Sequence, residues 1–140
     1  RSCRGRWDSL RYKYGMRNSE CGMKENDLKK RTYEYAKQVI GLCRILPENR
    51  EGRLIGNQIF RSGTSVAANY RAACRGRSSA DFIAKMGIVE EEADETLFWL
   101  ELIKDMDVIS DKAFLDSLIK EANELIAIVI TSIKTARSNK

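Results

Sequence analysis

Apolar residues recur along this chain at intervals of three, four or seven positions, in four separate runs divided by short breaks. Side chains at those intervals return to one face of a helix, so each run reads as a helix seated on a core. The first run spans about residues 26–46, with Leu28, Tyr35, Val39, Leu42 and Leu46 as its stripe and Asn26 or Asp27 as its cap. Pro47 stops it, and residues 47–52 read as a connecting loop. The second run, about 52–74, carries Leu54, Ile55, Ile59, Val66 and Tyr70 and ends at Arg75-Gly76-Arg77. The third, about 78–108, opens on Ser78 and Asp81 at capping-box spacing and carries Phe82, Met86, Val89, Ala93, Leu97, Leu100 and Ile103. The fourth, about 112–136, follows Ser110 or Asp111 as cap, with Leu115, Leu118, Ala122, Leu125, Val129 and Ile133 as its seam. Short loops between long helices make sequential neighbours antiparallel. The predicted fold is therefore all-α, an antiparallel up-down-up-down four-helix bundle over residues 23–140.

The middle of the second run is unusual: Arg61-Ser62-Gly63-Thr64-Ser65-Val66-Ala67-Ala68-Asn69. Small residues allow two backbones to approach closely. Gly63 costs up to about 1 kcal/mol in an exposed helix interior, so a tight helix crossing is the simplest offset. Ser62, Thr64 and Ser65 have carbonyls within reach one turn back.

Absences exclude several chemistries. The chain has no His, which removes Ser-His-Asp and Cys-His nucleophilic sites and all His-containing metal sites. Cys3, Cys21, Cys43 and Cys74 have no zinc-knuckle spacing. Cys43 and Cys74 fall in helical patterns and read as buried thiols. No segment has the apolar length of a membrane span or the form of a signal peptide, so a reduced cytoplasmic setting is the expected one. No catalytic residue, metal or cofactor is expected.

The net charge of +5 is unevenly spread. Residues 1–22 carry six basic and two acidic side chains, with Trp7, Tyr12 and Tyr14 among them and no sustained period. They read as a basic arm or extension, with Met23 the preferred natural start; Arg4, Arg6, Arg11 and Lys13 are its candidate nucleic-acid contacts. Residues 53–80 hold Arg53, Arg61, Arg71, Arg75 and Arg77 and no acid, whereas residues 81–107 hold nine acids against Lys85 and Lys104. Arg53, Arg71, Arg75 and Arg77 are the candidate nucleic-acid-binding residues of the bundle, and a ring of subunits would multiply their effect on phosphate. Arg61, Ser62, Asn69 and Glu92 form a candidate polar network that fixes register, with Trp99 two turns beyond Glu92. Phe98, Trp99 and Leu102 widen the third run's apolar arc beyond one core-facing stripe, which points either to burial in the bundle interior or to a subunit interface, for which they are the candidate residues. Glu90 with Asp94 and Glu91 with Glu95 could in principle hold Mg²⁺ or run acid/base chemistry. Glu34, Glu121 and Glu124 look isolated, so a solvated face, or pairing with Arg61 or Arg71, is the stronger reading.

Several segments together carry a family resemblance. Gln58, Ile59, Arg61, Ser62, Ser65, Val66, Ala68 and Asn69, followed by Ala72, resemble the signature of the bacterial four-helix bundle proteins often encoded by intervening sequences in 23S ribosomal RNA genes. Arg77-Ser78-Ser79-Ala80-Asp81-Phe82-Ile83 is similar to that family's loop into its third helix, and residues 91–102 to its acidic-aromatic segment. Where the family usually has Glu, this chain has Arg71. The resemblance spans about residues 24–137. It implies an up-down bundle and a homopentameric ring. Distant relatives include the accessory protein of diversity-generating retroelements, a nucleic-acid-binding partner of reverse transcriptase. It implies no settled catalytic residues.

The expected function is thus a non-enzymatic oligomeric bundle that binds RNA or DNA with weak sequence selectivity. A structural or protein-interaction module is the alternative, and a carboxylate-dependent enzyme the least supported one.

Overall fold

The computed structural model describes residues 25–139. Four helices follow one another: α1 (Glu25–Ile45), α2 (Arg50–Cys74), α3 (Ser79–Asp105) and α4 (Lys112–Ser138). No strand occurs among the described residues, and no helix there is long and apolar enough to cross a membrane. The basic arm expected over residues 1–22 lies outside the described residues.

The helix boundaries follow from local chemistry. α1 already includes Asn26 and Asp27, the two caps offered by the sequence. α2 starts earlier than its apolar pattern does. Asn49 is extended and its side chain accepts the Gly52 N–H at 2.8 Å, so residues 50–52 join the first turn instead of the loop. Gly52 is needed there because a β-carbon would lie 1.9 Å from the Pro47 carbonyl oxygen. Ser78 caps α3 by accepting from the Asp81 N–H at 3.1 Å, and the Asp81 carboxylate in turn accepts the Arg77 N–H at 3.1 Å. α3 stops at Asp105, three residues before its apolar pattern fades, because Asp107 takes a left-handed backbone with φ 53°. Asp111 caps α4 through the Phe114 N–H at 3.0 Å, and the helix runs two residues past the expected end, to Ser138.

α1 packs on α2, α2 on α3 and α3 on α4, and a thinner contact between α1 and α4 closes the bundle. Cross-helix neighbours run in opposite directions. Gly63 faces Val39 while Gly56 faces Leu46, and Ser62 faces Thr96 while Gly76 faces Phe82. The core is continuous through all four helices. Tyr35, Leu42, Ile59, Tyr70, Phe82, Met86, Leu100, Ile103, Leu115, Leu118 and Leu125 are its largest fully buried side chains. The close approach expected at the middle of α2 is present: a β-carbon on Gly63 would lie 2.7 Å from one Val39 methyl and 2.9 Å from the other. Burial of Ser62, Gly63 and Val66 together turns this segment inward.

Candidate nucleic-acid interface

The last turn of α2 and the turn after it present three arginines. Arg71, Arg75 and Arg77 are all exposed, and none makes an ion pair among the described residues. Their backbone is held firmly. The Arg75 N–H donates to the Ala72 carbonyl at 3.1 Å and the Gly76 N–H to Ala73 at 2.9 Å. Gly76 is buried where a β-carbon would come within 3.0 Å of the Ala73 carbonyl oxygen, so the turn hugs the bundle and projects the two flanking arginines outward. The carboxylate nearest this turn is already engaged: Lys85 donates to Asp81 at 2.8 Å. That hydrogen bond, then the Arg77 N–H, hold the Asp81 pKa below its ordinary value. α2 and α4 both descend toward this end, where α4 adds exposed Lys134 and Arg137. Cations at two helix C-termini also lie in the favourable direction of the helix dipole. Lys134 and Arg137 were missed by sequence reasoning, since only the alternating directions of the helices carry the fourth helix's end to the same end of the bundle as the second's. Arg53 does not join them. It lies in the first turn of α2, about 33 Å along the helix from Arg75 at 1.5 Å per residue.

Halfway along the bundle, the candidate polar network is partly assembled. Arg61 donates to both oxygens of Glu92, at 3.2 and 3.1 Å, and also pairs with Glu95. Glu95 in turn accepts from the Trp99 indole N–H at 3.4 Å. One turn inward, the Thr96 hydroxyl oxygen lies 2.9 Å from that of Ser62 and 2.7 Å from the Glu92 carbonyl oxygen, and both hydroxyl groups are buried. Asn69 stands apart, donating to the Ser65 carbonyl of its own helix at 2.9 Å. Glu95 and Thr96 complete the cluster. Their spacing of three and four residues from Glu92 was the available signal.

The aromatic segment divides by face. Trp99 and Leu102 are half-buried, and Trp99 packs against the core. Phe98 meets Trp99 edge to face at 4.9 Å between ring centroids and is 55 % exposed. The remaining acids of α3 do not converge: Glu91 and Asp94 are exposed, and no group of three or more potential metal ligands occurs among the described residues. Glu121 and Glu124, isolated in the sequence, are in fact gathered by Arg31, whose Nε donates to Glu121 at 2.8 Å and whose Nη2 reaches Glu124. Cys43 is half-buried beside the Gly56 carbonyl at 3.7 Å, and burial raises its thiol pKa. Cys74 is buried.

Comparison with known proteins agrees with this geometry. The profile of the family described as 23S rRNA-intervening sequence protein matches residues 24–131. A solved structure from Bacteroides thetaiotaomicron VPI-5482, a protein of unknown function from the S23 ribosomal protein family, is 36 % identical with a TM-score of 0.73, covering 80 % of this chain and 99 % of that one. No curated protein matches.

Proposed function

We propose, from the premise that the chain belongs to the 23S rRNA-intervening sequence protein family, that it is a non-enzymatic, cytoplasmic homo-oligomer that binds RNA or DNA through the basic end of its bundle. The observation that carries this reading is the set of exposed arginines Arg71, Arg75 and Arg77, free of ion pairs among the described residues, with exposed Lys134 and Arg137 toward the same end of the bundle. Such a patch engages phosphates and releases their counterions, which gives affinity without base selectivity. A single copy offers a small patch. Repetition of it in an oligomer, five copies as the family resemblance implies, would strengthen binding by multivalency. Catalysis has little support, because the chain has no His and the acids of α3 either face solvent or pair with Arg61 and Lys85.

Binding of a labelled structured RNA, measured at two salt concentrations, tests the proposal. The expected result is salt-sensitive binding by the wild type. Arg71→Gln/Arg75→Gln/Arg77→Gln should weaken it similarly for unrelated sequences and reduce the log–log salt slope by about two to three. Failure of the assembled wild type to bind at low salt would overturn the nucleic-acid reading.

A further inference from the structure

Two surfaces of this molecule complement each other in charge and in apolar relief. The first is a groove of about 290 Å³ between α1 and α2. Its floor is apolar, with Ala36, Ala67 and Ala68, and its rim is basic, with Lys29, Lys37 and Arg71. Lys29 and Arg71 make no ion pair among the described residues; Lys37 is held by Glu34 at 2.9 Å and stands 5.3 Å over the Tyr33 ring. The second surface is the outer line of α3. Ile88, Glu91, Asp94, Phe98 and Glu101 follow one another at intervals of three and four, so they share one face, and all five are exposed. The three carboxylates make no ion pair among the described residues, and Ile88 and Phe98 are 41 % and 55 % exposed.

The dimensions agree as well as the charges. Ile88 and Phe98 are ten residues apart, about 15 Å along the helix, and the α1 wall of the groove from Lys29 to Ile40 runs about 16 Å. α3 packs on α2 and α4, so this outer line points away from its own groove. We propose that the α3 line of one copy seats in the α1–α2 groove of the next. Ile88 and Phe98 rest on the alanine floor, and Glu91 and Asp94 face Lys29 and Lys37, which leaves Arg71 to the basic end of the bundle. A polyanion would use the cations but leave the alanine floor and both large apolar side chains in water; a second copy covers all of them. Because two different patches meet, the contact is head-to-tail. Such a contact forms a ring where its rotation closes. This inference rests on the self-assembly part of the proposed function and adds the surfaces that perform it.

The test is solution mass by light scattering on the full chain, with circular dichroism as a check on folding. Lys29→Glu/Lys37→Glu leaves all three nucleic-acid-binding arginines in place and should reduce the mass to that of a monomer. Glu91→Lys/Asp94→Lys should do the same. Mixing the two variants should raise the mass above that of either alone, as alternating open chains or even-numbered rings, because each fits only the other and an odd ring cannot close by alternation. Neutral versions, with Gln at the lysines and at Glu91 and Asn at Asp94, should weaken assembly and serve if a reversal unfolds the chain. A monomeric wild type would overturn this inference together with self-assembly. A wild-type oligomer whose mass survives both reversals would overturn the inference alone, as would loss of RNA binding without loss of assembly in Lys29→Glu/Lys37→Glu.

Discussion

Gly63 and Val39 show how one residue sets the distance between two helices. Each Val39 methyl lies within 3.0 Å of where a Gly63 β-carbon would be, and both groups are on rigid, buried helix faces. Gly63→Ala should therefore destabilise the protein by about 1–3 kcal/mol, because the short, branched Val39 side chain cannot swing clear and the two helices must shift apart. Val39→Ala removes the obstructing methyls. The double variant should then be more stable in urea unfolding than the two separate losses predict. Strict additivity would mean that this crossing is not the reason for the glycine. The sequence was informative at this scale because small residues in a helix interior carry a cost that packing must offset. It was less so at Tyr35, whose buried hydroxyl has no hydrogen-bond partner among the described residues and whose pKa burial and then Glu121 push upward. A tyrosine on an apolar stripe does not announce which atoms its hydroxyl will meet.

At the scale of the element, short polar segments decide where the helices begin. Asn49, Ser78 and Asp111 each accept an N–H from the third residue beyond them, satisfying donors the first turn leaves unpaired. Asp81 adds a titratable contribution. Its hydrogen bonds from Lys85 and the Arg77 N–H favour the ionised carboxylate in the folded state, so its folded pKa lies below the ordinary value of 3.8. The stabilisation is complete above 3.8 and is lost as pH falls through the depressed folded value. Asp81→Asn should accordingly lower the thermal midpoint at neutral pH, and the gap from wild type should shrink in acid below that range. A gap that stays constant from neutral pH into strong acid would reject the ionised carboxylate as the cause. The helices themselves were legible from apolar period and caps. Their exact ends depended on backbone geometry that composition conceals: the Gly52 contact under Pro47 and the left-handed turn at Asp107.

For the whole molecule, the contact that closes the bundle is the most dependent on single residues. α1 and α4 touch over a short stretch, and Arg31 spans it by binding Glu121 and Glu124 together. Arg31→Gln should speed amide exchange in α1 while leaving the α2–α3 interior protected, since α2 and α3 pack extensively on each other. Equal acceleration in all four helices would show that the bundle opens only as one unit. Closure also gathers charge. Arg71, Arg75, Arg77, Lys134 and Arg137 lie toward one end although the whole of α3 and most of α4 separate the two groups in sequence, whereas Arg53 is carried to the other end. The amino-acid order alone determined that there are four helices, which stripe of each is buried apart from Leu54, which is 56 % exposed at the start of α2, and that the middle of α2 must lie against a neighbour, because period, caps and small residues are local properties of a chain. Which ions meet was decided only by tertiary structure: Arg61 with Glu95, and Arg31 with Glu121 and Glu124. Long side chains on different helices pair through the register and crossing of those helices, and that register is an outcome of packing.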